Sequence, residues 1–155
     1  MEIVWGLLKP VLSMIGFDYK NKRQKDRALL EIFLEILPSD GDSVLFLKEH
    51  DMGFSAPYSY FGPLNRIREG WMAPDKEFQV GKLERLKCEF IESLDQFLSL
   101  YARRSAGERG GYISIGFRDD EDRPDMIEYR DNLNELSTKA YNSYETFVRT
   151  AWREI

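Results

Sequence analysis

The stretch from Ala28 to Leu37 reads A-L-L-E-I-F-L-E-I-L and leaves the chain few ways to fold. Eight of its ten residues are apolar, and the two polar ones, Glu31 and Glu35, lie one helical turn apart. A helix of this kind has a narrow wet edge and is normally surrounded by other helices. It is expected to be the hydrophobic post of a bundle, running roughly from Lys25 to Leu37. Pro38-Ser39-Asp40-Gly41 stops it. A second apolar pattern starts at Val44 and runs to about Asp51, with Ser39, Asp40 or Asp42 placed to cap it by accepting from its free N–H groups. Val44, Phe46 and Leu47 are expected to face inward.

Two longer helices are written further along. Leu83, Leu86, Phe90, Leu94, Phe97 and Tyr101 recur at three- and four-residue steps, which is one helical face. The expected span is Asp75 to Arg104, with Phe78 on the same face and Gly81 a weak point that argues for a later start. The last helix is expected from Asp122 or Pro124 to Trp152. Met126, Tyr129, Leu133, Leu136, Ala140, Tyr144, Phe147 and Ala151 form a seam along it that asks for a full-length partner. Asp122 is a natural cap and Pro124 suits the first helical turn. Between the two lies Tyr112-Ile113-Ser114-Ile115-Gly116-Phe117, the one period-two alternation. With no second strand to join, it is expected to be an extended loop. The fold predicted is an all-α bundle of four or five main helices with antiparallel neighbours, an aromatic-rich loop and a short apolar N-terminal helix.

Charge divides the chain. Residues 1–27 hold six bases against three acids, and with −5 overall the remainder carries −8. An acidic body does not suit a phosphate backbone, so nucleic acid is not an expected partner. Cys88 is alone, which excludes an internal disulfide and suits a reducing, cytoplasmic setting. Residues 1–19 form an apolar segment ahead of the domain at 20–155. Its apolar positions are Ile3, Val4, Trp5, Leu7, Leu8, Val11, Leu12, Ile15 and Phe17, and Lys20, Lys22, Arg23 and Lys25 follow. Glu2 precedes the run and Lys9 interrupts it, the reverse of a secretory signal. Two readings stay open: a helix docked on the domain or on a second subunit, or an interfacial anchor on the inner face of the membrane.

Met52 to Met72 is punctuated by Gly53, Pro57, Gly62, Pro63 and Gly70, and carries Phe54, Tyr58, Tyr60, Phe61 and Trp71. Pro63 is expected to open a short helix, Leu64 to Trp71. These five aromatic residues are the candidate ligand or partner surface, since such rings supply contact area at low entropic cost. The competing reading makes them a lid over the core.

The search for chemistry is brief. His50-Asp51 is a metal-type pair, but one histidine and one cysteine cannot supply a zinc ligand set. Cys88 sits mid-helix among acids that would raise its pKa, which does not make a nucleophile. Asp119-Asp120-Glu121-Asp122 lacks the spacing of a calcium loop and suits a helix N-terminus. Gly107, Gly110 and Gly111 are not followed by Gly-Lys-Ser/Thr, so no phosphate loop is written there. No catalytic residue, metal or cofactor is expected.

Glu35-Ile36-Leu37-Pro38-Ser39-Asp40-Gly41, Phe46-Leu47-Lys48-Glu49-His50-Asp51, the Lys76-Glu77-Phe78 opening of the third core helix and Leu133-Asn134-Glu135-Leu136 resemble an uncharacterised group of bacterial α-helical proteins. The resemblance covers most of residues 28–155. It implies an all-α fold and a bacterial cytoplasmic setting, and brings no established activity. The function expected is therefore a non-catalytic protein-interaction or oligomerisation module, acting through a protein partner, self-association or a membrane surface. The alternative is a small effector or regulator of a bacterial defence or stress system, binding a ligand or protein under the aromatic loop.

Overall fold

The computed structural model of the chain describes residues 20–116 and 123–155. Five α-helices occur among them: α1 over residues 20–36, α2 (Asp42–Glu49), α3 (Phe61–Gly70), α4 (Gly81–Arg103) and α5 (Arg123–Glu154). The all-α bundle expected from the helical periodicities is the fold observed.

The two long helices make the frame. Lys82 of α4 meets Glu154 of α5 at one end, and Arg104 meets Met126 at the other, so the pair is antiparallel. The seam on α5 is the surface buried against it: Met126, Leu133, Ala140, Tyr144, Phe147 and Ala151 are all in the core. Helix α1 also runs antiparallel to α5. Arg27 donates to the Ile155 carbonyl at 3.1 Å and the Tyr144 hydroxyl donates to the Leu37 carbonyl at 2.6 Å. Leu30, Phe33 and Leu37 are fully buried, as a post must be. Phe33 is the hub. Its ring meets Trp71 at 5.1 Å, Phe147 at 5.1 Å, Tyr144 at 6.1 Å and Phe90 at 6.2 Å, contacts of the kind that add about 0.5–1.5 kcal/mol each beyond area burial.

Helix α2 starts at Asp42, but none of Ser39, Asp40 or Asp42 caps it. The N-cap is Gly41, where a Cβ would come within 2.8 Å of Pro38 Cγ. The Pro38 turn is so tight that it closes this position to any side chain. The helix ends at Glu49, two residues before the expected limit, with His50 as its C-cap. Helix α3 begins at Phe61, so Pro63 falls in its first turn.

The third core helix starts at Gly81, not Asp75, and only a single 3₁₀ turn, Pro74–Lys76, precedes it. Side chains from the bundle hold the intervening backbone extended. The buried Asp26 carboxylate on α1 accepts the amides of Gln79 at 2.7 Å and Val80 at 2.9 Å. Glu84 accepts the Phe78 amide at 2.8 Å. Lys87, wholly buried, donates to the Lys76 carbonyl and pairs with Glu84, each at 2.8 Å. Phe78 does reach the core, from this strap rather than from a helical face.

The expectation of an unpaired loop at Tyr112 is corrected. Tyr112–Ile113 (β2) pairs antiparallel with Ala56–Pro57 (β1), giving a two-stranded ribbon. The missing partner was inside the aromatic loop, hidden by Pro57, which reads as a strand breaker. Asp122, the expected cap of α5, and the acids Asp119 to Asp122 lie outside the described residues, as does the whole of residues 1–19.

Candidate functional site

The five aromatic residues singled out in the loop do not share a surface. Phe61 and Trp71 are buried, Tyr60 is half-buried, and Phe54 and Tyr58 are exposed at 69% and 49%. Phe61 packs on Phe46 at 5.1 Å and on Tyr101 at 4.9 Å, while Trp71 belongs to the Phe33 hub. These two rings are part of the buried core.

The exposed pair gains a third member. In the ribbon, Ala56 faces Ile113 and Pro57 faces Tyr112. Side chains directly opposite share a face, so Ala56, fully buried, turns the first pair inward and leaves the second outward. Tyr112 is 54% exposed on that outer face, and Tyr58 adjoins it, its amide donating to the Gly111 carbonyl at 2.8 Å. Phe54, exposed on the turn that leads into β1, is counted with them as one aromatic ridge.

This ridge stands on a clamped scaffold. The amide of Phe54 donates to the Asp51 carbonyl at 3.0 Å, and the His50 ring Nε2 lies 3.0 Å from the Phe54 carbonyl. Asn134 on α5 reaches across to accept the Met52 amide at 2.8 Å and to donate to Asp51 Oδ1 at 3.3 Å. Asp51 Oδ1 also accepts the Gly53 amide at 2.9 Å. That backbone bond, helped by Asn134 and the Arg130 charge, holds the Asp51 carboxyl below the ordinary carboxylate range against a smaller effect of burial. Beyond Tyr58, the Ser43 hydroxyl donates to the Tyr60 carbonyl at 2.8 Å. On the other strand, Arg109 and Tyr112 exchange amide bonds at 2.8 and 3.1 Å around Gly110 and Gly111, whose φ angles are +60° and +83°. Two successive positive φ values are the demand of the tight hairpin turn that glycine pairs satisfy. Tyr112 was absent from the sequence candidates. The Gly110-Gly111 pair just before an alternating run was the signal that could have found it.

The remaining candidates resolve simply. His50 and Asp51 shape the turn under Phe54. Cys88 is partly buried on α4 with its thiol 3.5 Å from Glu84 Oε1; burial, then the Glu84 charge, pushes its pKa up. Among the described residues no group of three or more His, Cys, Asp or Glu is placed to hold a metal ion, and no helix is long and apolar enough to cross a membrane. Tyr60 lines an open groove of about 370 Å³ between the end of α1, the start of α2 and Ser59 to Pro63, with Glu35 and Asp42 on its walls.

No protein-family model matches the chain, and neither characterised proteins nor solved structures give a match to it.

Proposed function

We propose that this chain is a non-catalytic protein-interaction module whose contact face is the ridge formed by Phe54, Tyr58 and Tyr112. The observation that carries the reading is that three aromatic side chains stand about half exposed or more on backbone fixed from several sides. Rings held outward on a rigid support lose little freedom on binding, and aromatic anchors are what such contacts favour. The ridge bears no charge of its own. A two-fold contact can therefore set ring against ring without like-charge repulsion, and self-association is the form to test first. Sedimentation velocity over a concentration series should show the full chain associating, and Phe54→Ser, Tyr58→Ser and Tyr112→Ser together should leave it monomeric. A chain that stays monomeric throughout, or a triple variant that associates like the parent, contradicts the proposal.

A second reading draws support from the groove beside Tyr60. Its volume of about 370 Å³ lies in the range of small-molecule sites, and its two carboxylates would favour a cationic ligand. A regulator of this kind should show a thermal shift with small cations such as polyamines, lost in Glu35→Gln. Absence of any shift counts against it.

A further inference from the structure

The ridge has a different neighbour on each flank. Tyr58 opens the 3₁₀ turn Tyr58–Tyr60, and Ser59 and Tyr60 of that turn line the groove of about 370 Å³ at the end of α1. Glu35 and Asp42 on its walls are exposed, and neither is in an ion pair among the described residues. Ile36, Pro38 and Val44 give the same groove apolar surface. The other flank is basic. Tyr112 directs both its backbone groups to Arg109, which sets Arg109 along the edge of β2 turned away from β1. Arg109 is exposed, and its guanidinium is in no ion pair among the described residues.

In a two-fold contact, when one residue meets a second, the second meets the first in return. Arrangements that press ridge on ridge differ in which flanks they oppose. Like flank on like flank sets Arg109 against Arg109 and carboxylate against carboxylate. Crossed flanks set each Arg109 on the Glu35 and Asp42 of the other copy, twice per dimer. From this complementarity we propose that the groove takes the Arg109 side chain of a second copy, and that the two equivalent contacts fix the register of self-association. Arginine suits such a groove, because its methylene stem lies along apolar walls while the guanidinium gives directed N–H bonds to carboxylates. Pairs of this kind govern orientation and choice of partner more than raw affinity. The inference rests on the ridge as the self-association face and adds the groove and Arg109 to it.

Charge exchange in the full chain, followed by sedimentation velocity, tests it. Arg109→Glu should raise the dissociation constant of the dimer on the order of tenfold, since both equivalent pairs turn repulsive. Glu35→Lys with Asp42→Asn should weaken association to a similar degree. An equal mixture of these two proteins should associate nearly as the parent does, because each chain then offers the charge that the other lacks. Rising ionic strength should weaken the parent and the mixture alike. Melting curves check that the variants fold. If the double change does not fold, Glu35→Lys alone should still recover part of its association on mixing with Arg109→Glu. A parent that associates through the ridge but ignores both charge changes overturns this inference and leaves the ridge reading standing. Two weakened variants that do not recover on mixing place the charges outside the crossed contact, which also overturns it. A parent that stays monomeric removes the ridge reading and this inference with it.

Discussion

Two groups of aromatic side chains, one around Phe33 and one along Phe54, Tyr58 and Tyr112, show what position in the fold does with the same chemistry. Phe33 has no exposed surface and meets four rings, from the C-cap of α3, from α4 and twice from α5. The ridge residues project from backbone held by its own hydrogen bonds, yet their rings are about half exposed or more. The bundle needs the first group to close. It holds the second group in place without needing it. The difference teaches that exposure here is built by backbone clamps, and that stability and interaction can be separated by substitution.

The sharpest contrast comes from the hub. Phe33→Ala should cost about 3–5 kcal/mol by the loss of burial and the cavity left, and Phe33→Asp or Leu30→Asp should abolish folding; urea denaturation measures the first and circular dichroism the others. Next in size is Asp26→Ala, which leaves the Gln79 and Val80 amides without their acceptor. About 1–3 kcal/mol is expected for each amide that stays buried, read from the same denaturation curves. If Asp26→Ala leaves stability unchanged, the strap before α4 is not held as described.

Smaller effects probe the ridge scaffold. Gly111→Ala forces a side chain into positive φ and should cost about 1–2 kcal/mol. Amide exchange should speed up at Tyr58, whose partner is the Gly111 carbonyl, while the hub amides stay protected from local opening. Tyr144→Phe removes the hydroxyl that donates to the Leu37 carbonyl, at about 1 kcal/mol. It should also alter the alkaline limb. Burial pushes the Tyr144 and Tyr101 phenols from an ordinary value of 10.0 up to about 12. The unfolded chain then loses its protons first. The contribution of these groups to stability is complete below about pH 10 and is lost as the pH rises through about 12. A denaturation series across that window should be flatter in Tyr144→Phe and Tyr101→Phe. The smallest change belongs to the ridge itself, where single substitutions should stay within about 0.5 kcal/mol.

The sequence showed most of the bundle because helix faces repeat. The post at Ala28 to Leu37 and the seam from Met126 to Ala151 could be read directly, since each buries a continuous apolar face. Long-range ties were less visible. No periodicity announces that Asp26 will hold the backbone at Gln79 and Val80, fifty-three and fifty-four residues on, so the start expected at Asp75 lies six residues ahead of the observed start at Gly81. The ribbon was missed for the same reason, with fifty-six residues between Ala56 and Ile113. The candidate surface was half legible. Ring content pointed to Phe54 and Tyr58, but the split between them and the buried Phe61 and Trp71 depends on which way the ribbon turns.

The central claim is that the ridge makes contacts the fold does not need. Sedimentation velocity of the full chain, set beside the triple variant Phe54→Ser, Tyr58→Ser and Tyr112→Ser with its unfolding midpoint measured in parallel, tests it most directly. The account predicts a parent that associates with rising concentration and a variant that stays monomeric while its stability changes by no more than about 1.5 kcal/mol in sum. A variant that unfolds with the ridge, or one that associates as the parent does, would contradict it.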